Sequence, residues 1–164
     1  KDAVSAVAMI CEMAAVEKEK GKTLFDKLIE LYIRYGFYYE KLISLTKKGM
    51  NGSKEIAEMM QQYRENPPKE IAGSKVKELL DYDLQTRKNL ITGGSGKINL
   101  PKSNVLQFIT EDGSKISARP SGTEPKIKFY FSVNAPLKDE ADFDKTQKDL
   151  EEKIENIISS MNLQ

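Results

Sequence analysis

The segment 126–133 constrains the fold most, because its apolar and polar side chains alternate without a break. Its apolar members are Ile127, Phe129, Phe131 and Val133, and the polar series between them includes Lys126, Lys128 and Tyr130. A period of two residues is that of a β-strand with one buried and one exposed face. Such a strand needs neighbours in a sheet and an apolar layer over its buried face. The chain must therefore build a sheet that is covered on one side.

Other segments supply the elements that such a sheet requires. Strands are predicted at 37–46, 104–110 and 114–118, the segment 71–82 is also compatible with a strand, and Asp112-Gly113 is a hairpin-turn sequence. Helices are predicted at 3–20, 23–36, 53–66 and 139–161, with Asp2, Thr23 and Ser53 as N-caps of the first three. The glycine-rich segment 89–97 is predicted to be a flexible connection. The expected fold class is α+β, with an antiparallel sheet of about four strands covered by helices and preceded by two helices.

Composition excludes several kinds of site. The 164 residues contain no His, which excludes Ser-His-Asp and Cys-His catalytic groups and any imidazole metal ligand. The single cysteine, Cys11, excludes internal disulfides and is expected to be a small buried apolar side chain in a reducing compartment. No signal peptide or membrane-spanning segment is visible, so a cytoplasmic location without a membrane partner is expected. The net charge of +1 argues against nucleic-acid binding driven by bulk charge.

The segment 119–125 has the chemistry of a phosphate-binding loop. The guanidinium of Arg119 can hold two phosphate oxygens at once, and Ser121 and Thr123 add hydroxyl donors. Gly122 is expected to adopt a positive φ and to let successive backbone N–H groups surround an anion. Lys128, on the next predicted strand, can add a second cation. The alternative at this point is a loop that only turns the chain between two strands.

The same segment carries a family resemblance. Its sequence, Arg-Pro-Ser-Gly-Thr-Glu-Pro, closely resembles the signature loop of the last domain of the α-D-phosphohexomutases of the phosphoglucomutase and phosphomannomutase type. The preceding strand and Asp-Gly-Ser turn, the following strand and the closing helix also match that domain. Near the start of the chain, Lys-Asp-Ala-Val at 1–4, Gly-Lys-Thr-Leu at 21–24 and Tyr-Gly at 35–36 are similar to the end of the family's third domain.

The resemblance implies a piece of a four-domain enzyme that moves phosphate between the 1- and 6-positions of a hexose phosphate. It divides the chain into a helical remnant of the third domain, 1–36, and the fourth domain, 37–164, whose fold in this family is similar to the TATA-box-binding protein. The implied partners are glucose or mannose phosphates and the three missing domains. The phosphoserine and the Mg²⁺ site of such an enzyme would lie outside this chain, so the isolated chain is expected to be inactive.

Site residues follow from the resemblance position by position. Arg119, Ser121, Gly122 and Thr123 fall on the loop that holds the phosphate that is not being transferred. Lys128 falls where many members have an arginine, so it keeps the charge but loses the two-point geometry. The resemblance implies no catalytic residue and no metal ligand within this chain.

The distribution of basic residues also allows a second function. The segment 97–133 has a net charge of +3, and its cations gather around the loop. Lys115, Arg119, Lys126 and Lys128 could therefore form the surface of a non-enzymatic anion-binding or nucleic-acid-binding module. Selectivity for sugar phosphates would favour the enzyme, and a steep salt dependence of nucleic-acid binding would favour the module.

Overall fold

The computed structural model describes residues 2–49 and 51–163. The helices are α1 (Ala3–Glu19), α2 (Leu24–Tyr35), α3 (Gly52–Glu65) and α4 (Phe143–Ser160), and a 3-10 turn (Glu140–Asp142) precedes α4. The strands are β1 (Phe37–Thr46), β2 (Glu70–Ile71), β3 (Ser74–Asp81), β4 (Thr86–Asn89), β5 (Ser95–Lys97), β6 (Leu106–Thr110), β7 (Lys115–Pro120) and β8 (Lys126–Ala135). The predicted helices and strands occur in the predicted order, and three further strands, β2, β4 and β5, lie between α3 and β6. Of these, β5 lies within 89–97, where a flexible connection was expected.

The chain divides into two compact units. The first contains the residues up to Tyr38 together with Ala135–Lys148, and the second contains Tyr39–Asn134 together with the residues from Asp149 onward. The domain boundary inferred from the family resemblance, between 36 and 37, stays a prediction. Lys1, Met50 and Gln164 fall within the predicted domains but lie outside the described residues.

In the first unit, local capping explains where α1 and α2 begin. Asp2 accepts a hydrogen bond from the Ser5 N–H at 3.0 Å, which satisfies a free donor at the start of α1. Thr23 and Asp26 form a reciprocal capping box, in which Thr23 Oγ1 accepts from the Asp26 N–H at 3.1 Å. Both predicted caps are confirmed.

The first unit leaves α1 largely uncovered within the described residues. Val4 is 82% exposed and Met9 is 67% exposed, and Cys11 is also exposed. The prediction that Cys11 is buried is therefore wrong. Apolar spacing along a helix predicts which face can be buried, but burial also requires an element over that face.

The second unit contains most of a sheet with more strands than the four predicted. Among the described residues the strand order is β1-β8-β7-β6-β3-β4-β5, and β2 pairs with β3 beside this path. Successive neighbours from β8 to β5 run antiparallel. The segment 89–97 is an ordered hairpin, since Asn89 donates its N–H to the Gly94 carbonyl at 2.7 Å. These strands were missed because both are short and polar, and they are stabilised by pairing, β4 with β3 and β5 with β4.

The buried face of the sheet forms the core. The alternation predicted for β8 is confirmed, because Ile127, Phe129 and Val133 are 0% exposed. From α3, the Tyr63 ring packs edge-on against Phe108, with ring centroids 5.5 Å apart. Further core side chains come from β6, β7 and α4, namely Leu106, Ile116, Ala118, Leu150, Ile154, Ile157 and Ile158. The sheet of this unit is antiparallel and covered by helices, as the predicted fold class requires.

Candidate functional site

The predicted phosphate loop is a short turn between β7 and β8. Arg119 and Pro120 are the last residues of β7, so the loop proper is 121–125. Ser121 donates its N–H to the Lys126 carbonyl at 2.8 Å, and Lys126 donates its N–H to the Glu124 carbonyl at 2.7 Å. These two bonds close the turn and tie its first residue to the first residue of β8.

The Ser121 side chain stiffens the turn from inside. Its Oγ accepts hydrogen bonds from the N–H groups of Thr123 at 3.4 Å and Glu124 at 3.3 Å. Since these N–H groups bond within the loop, the predicted ring of free backbone donors does not form. Gly122 is also not among the residues with positive φ, contrary to expectation, and a Cβ at this position would meet nothing within 4 Å. The Ser121 hydroxyl is only an acceptor in these bonds. Its O–H group can therefore still donate a hydrogen bond to a ligand.

Two cations stand side by side next to this turn. Arg119 and Lys128 are directly paired in the β7–β8 register. Paired residues of an antiparallel ladder project from the same face of a sheet, and like charges in this arrangement destabilise each other. Within residues 2–49 and 51–163, neither side chain forms an ion pair with a carboxylate. An anion from outside would neutralise both charges.

Other arginines of the same unit have protein partners. Arg64 lies 2.9 Å from a carboxylate oxygen of Asp81, and Arg87 pairs with Glu78 at 2.5 Å. The hydrogen bonds that Arg87 donates to Glu78 raise the pKa of this guanidinium. Arg119 and Lys128 differ from these two arginines, because among the described residues neither has a carboxylate partner.

Most of the candidate residues line a common cavity of about 190 Å³. It is lined by Arg119, Pro120, Ser121, Gly122 and Lys128. The structure thus brings four of the five predicted site residues to one place. Thr123 is exposed and does not line the cavity, and Pro120, which was expected only to stiffen the loop, does.

No other part of the described chain offers a metal site. Within residues 2–49 and 51–163, no group of three or more acidic, His or Cys side chains is arranged to hold a metal ion. The described residues therefore offer no ligand set for the Mg²⁺ that the family resemblance implies for the parent enzyme. That ion remains a prediction about segments outside this chain.

Comparison with known proteins now bears on these residues. No protein-family model matches the chain. It is 41% identical over 160 residues to a phosphoglucomutase of Staphylococcus aureus strain MRSA252, which is 98% of this chain and 27% of that protein. It is 43% identical over 136 residues to the phosphoglucomutase of strain USA300, which is 83% of this chain and 24% of that protein. The chain is homologous to a C-terminal segment of phosphoglucomutase. It spans about a quarter of the length of these phosphoglucomutases.

A solved structure supports the fold. The open form of the exocytosis-sensitive phosphoprotein pp63/parafusin, a phosphoglucomutase from Paramecium, superposes with a TM-score of 0.53 at 20% identity. The match covers 97% of this chain and 28% of the Paramecium chain. At this identity the likeness concerns the fold alone. Together with the sequence relatives, it confirms the resemblance to the phosphohexomutases.

None of the helices in residues 2–49 and 51–163 has the length and apolar content needed to cross a bilayer.

Proposed function

We propose that this chain is the phosphate-binding C-terminal part of a phosphohexomutase, which moves a phosphoryl group between the 1- and 6-positions of a hexose phosphate. Arg119, Ser121, Gly122 and Lys128 hold the phosphate that is not being transferred. The observation that carries the proposal is the register pair of Arg119 and Lys128, two cations that line one cavity and have no carboxylate partner in residues 2–49 and 51–163. The phosphoglucomutase relatives supply the reaction type.

The charges of the site match those of a phosphate monoester. Such a group carries a charge between about −1.5 and −2 at neutral pH. Arg119 and Lys128 together carry two positive charges, so binding neutralises both partners. The planar guanidinium can grip two phosphate oxygens, whereas the ammonium of Lys128 acts as a point charge. Ser121 adds a neutral donor from the rim of the cavity.

The catalytic steps are assigned to the rest of the parent enzyme. The phosphoserine, the Mg²⁺ and the sugar-reading loop belong to its first three domains, and 37–164 is the fourth domain. We expect no turnover of glucose 1-phosphate by this chain alone in a coupled assay, and measurable turnover would contradict this division. Glucose and mannose phosphates are the proposed substrates, and the proposed location is the cytoplasm. Thr123 stays a prediction, since its side chain lies off the cavity.

Replacing Arg119 tests the proposed site. We expect Arg119→Ala to weaken binding of glucose 1-phosphate by about 2 kcal/mol, or about 30-fold, because a charge-assisted contact is lost. Nuclear magnetic resonance titration of the chain measures the affinity. Lys102→Ala is the matched control, since it removes one positive charge from an exposed position away from the cavity. Equal affinity of Arg119→Ala and the control would contradict the proposal.

The same titration distinguishes the proposed phosphohexomutase function from a second candidate, nucleic-acid binding. Oligonucleotide binding that is tighter than hexose-phosphate binding and falls steeply with salt would favour a nucleic-acid-binding module. The sheet face that carries Lys115, Arg119 and Lys128 would then be its surface. Tighter binding of a hexose phosphate than of inorganic phosphate favours the phosphohexomutase.

A further inference from the structure

We propose that Gly52, the first residue of α3, is a positioning residue for the phosphate loop. This inference rests on the proposed function of the loop. Gly52 does not line the cavity, and it acts through Lys47 and Pro125. Pro125 is the last loop residue before β8.

The end of β1 holds the loop by a backbone hydrogen bond. Lys47, the residue after β1, donates its N–H to the Pro125 carbonyl at 2.9 Å. Since β1 and β8 are neighbours in the sheet, this bond extends their pairing to the edge of the loop. The position of Pro125 therefore depends on that of Lys47.

Gly52 packs against both members of this bond. The position is buried, and its N–H donates to the Gly49 carbonyl at 3.2 Å. A Cβ on Gly52 would overlap with the carbonyl oxygen of Lys47 and would lie 3.0 Å from the Cβ of Pro125. These neighbours are a backbone group and a proline ring, neither of which can rotate away. Glycine is therefore required here for close approach.

A shift of Pro125 would reach the ligand-binding residues. Pro125 lies only four positions after Ser121, and the Ser121 N–H donates to the Lys126 carbonyl at 2.8 Å. A displacement on one side of this closed turn must move the other side or break the bond. Charge-assisted contacts depend on distance and direction, so a small movement of Ser121 relative to Arg119 weakens anion binding.

The test compares two glycine substitutions in the full 164-residue chain. We expect Gly52→Ala to weaken binding of inorganic phosphate by about tenfold, since misplacement of binding groups by about 1 Å can have an effect of this size or greater. Gly96→Ala is the matched control, because a Cβ at Gly96 in β5 would meet nothing within 4 Å. Titration followed at the Gly122 amide measures the affinity of the folded molecules. A purely structural role would lower the melting temperature and leave this affinity unchanged.

A second measurement does not depend on the folding of the variant. If Gly52 and Lys47 position the loop, phosphate must in turn stabilise the Lys47–Pro125 bond, because coupling between sites is reciprocal. We expect saturating phosphate to slow hydrogen exchange of the Lys47 N–H in the unmodified chain, and to leave that of the Gly96 N–H unchanged. Unchanged exchange at Lys47 would overturn the inference.

The outcomes distinguish this inference from the function on which it rests. If the unmodified chain binds phosphate at Arg119 and Gly52→Ala binds it equally well, the positioning role is wrong and the proposed function stands. If the unmodified chain binds no phosphate, both are overturned.

Discussion

The two ends of strand β7 hold charged side chains in opposite ways. Before β7, Asp112 accepts hydrogen bonds from the Thr110 hydroxyl at 2.5 Å and the Ser114 N–H at 3.0 Å. Its carboxylate also pairs with the Lys153 ammonium at 3.0 Å. At the other end, Arg119 stands beside Lys128, and neither has a carboxylate partner within the described residues.

This comparison distinguishes a charge that is paired within the fold from charges that are available to a ligand. Burial by itself would raise the pKa of Asp112, but the hydrogen bonds from Thr110, Ser114 and Lys153 outweigh burial and hold the pKa of this carboxyl well below its usual range. The charge of Asp112 therefore contributes to folding. No carboxylate among the described residues neutralises Arg119 or Lys128, so both charges are available to an anion.

Removal of the Asp112 carboxylate is expected to have the largest effect on the fold. We expect Asp112→Ala to lower the free energy of unfolding by about 1–2 kcal/mol, a value discounted for partial exposure to water. Phosphate affinity should stay unchanged, because the cavity lies at the other end of β7. Asp112 and Asp149 line one surface groove, and Asp149→Ala, which removes an exposed carboxylate from it, is the control. Chemical denaturation measures stability, and loss of phosphate affinity in Asp112→Ala would remove the distinction between the two ends.

The pH dependence of stability sharpens the same comparison. Because the pKa of Asp112 is lowered on folding, its contribution is complete above the ordinary aspartate pKa of about 4 and is lost as the pH falls below it. The difference in stability between the unmodified chain and Asp112→Asn should therefore narrow from pH 6 to pH 2.5. Glu30, whose pKa is lowered to about 2 by Lys22 and Lys27, contributes equally to both proteins. A constant difference across this range would contradict the prediction.

Substitution of Gly122 is expected to have the smallest effect and to probe the loop alone. Gly122→Ala should leave stability unchanged or raise it by up to about 1 kcal/mol, since the unfolded chain loses freedom and the new Cβ finds open space. Phosphate affinity should fall about fivefold, because a methyl group then hinders approach to the backbone. Parallel denaturation and phosphate titration test this. Unchanged affinity would show that the ligand does not approach Gly122.

Parts of the fold could be read from local sequence because local patterns set them. The alternation of β8 predicts its buried face, and the Thr23–Asp26 capping box predicts the start of α2. The start of α3 was predicted less well. Gly52, and not the residue after Ser53, begins the helix, and its N-cap Asn51 makes no side-chain cap bond. Glycine is required at this position by its contacts with Lys47 and Pro125, and a local capping rule does not include such contacts.

The candidate site was likewise predicted only in part. Arg119, Ser121 and Lys128 carry a chemistry that residue types and strand spacing predict. The prediction of positive φ at Gly122 was wrong, because the loop satisfies its own N–H groups through Ser121 and Lys126. The supporting role of Gly52 was not visible, since it lies 73 positions before Pro125 in the sequence.

The sequence by itself determined the class of the fold, the buried face of β8 and the residue types of the candidate phosphate loop, because each depends on residues close together in the chain. Tertiary structure decided that β4 and β5 are strands, that Cys11 is exposed, and that Arg119 is paired with Lys128 in the strand register with no carboxylate partner among the described residues. Strand pairing, burial and ion pairing each require a partner far away in the sequence. Local pattern shows what a residue can contribute, and the folded neighbourhood decides what it contacts.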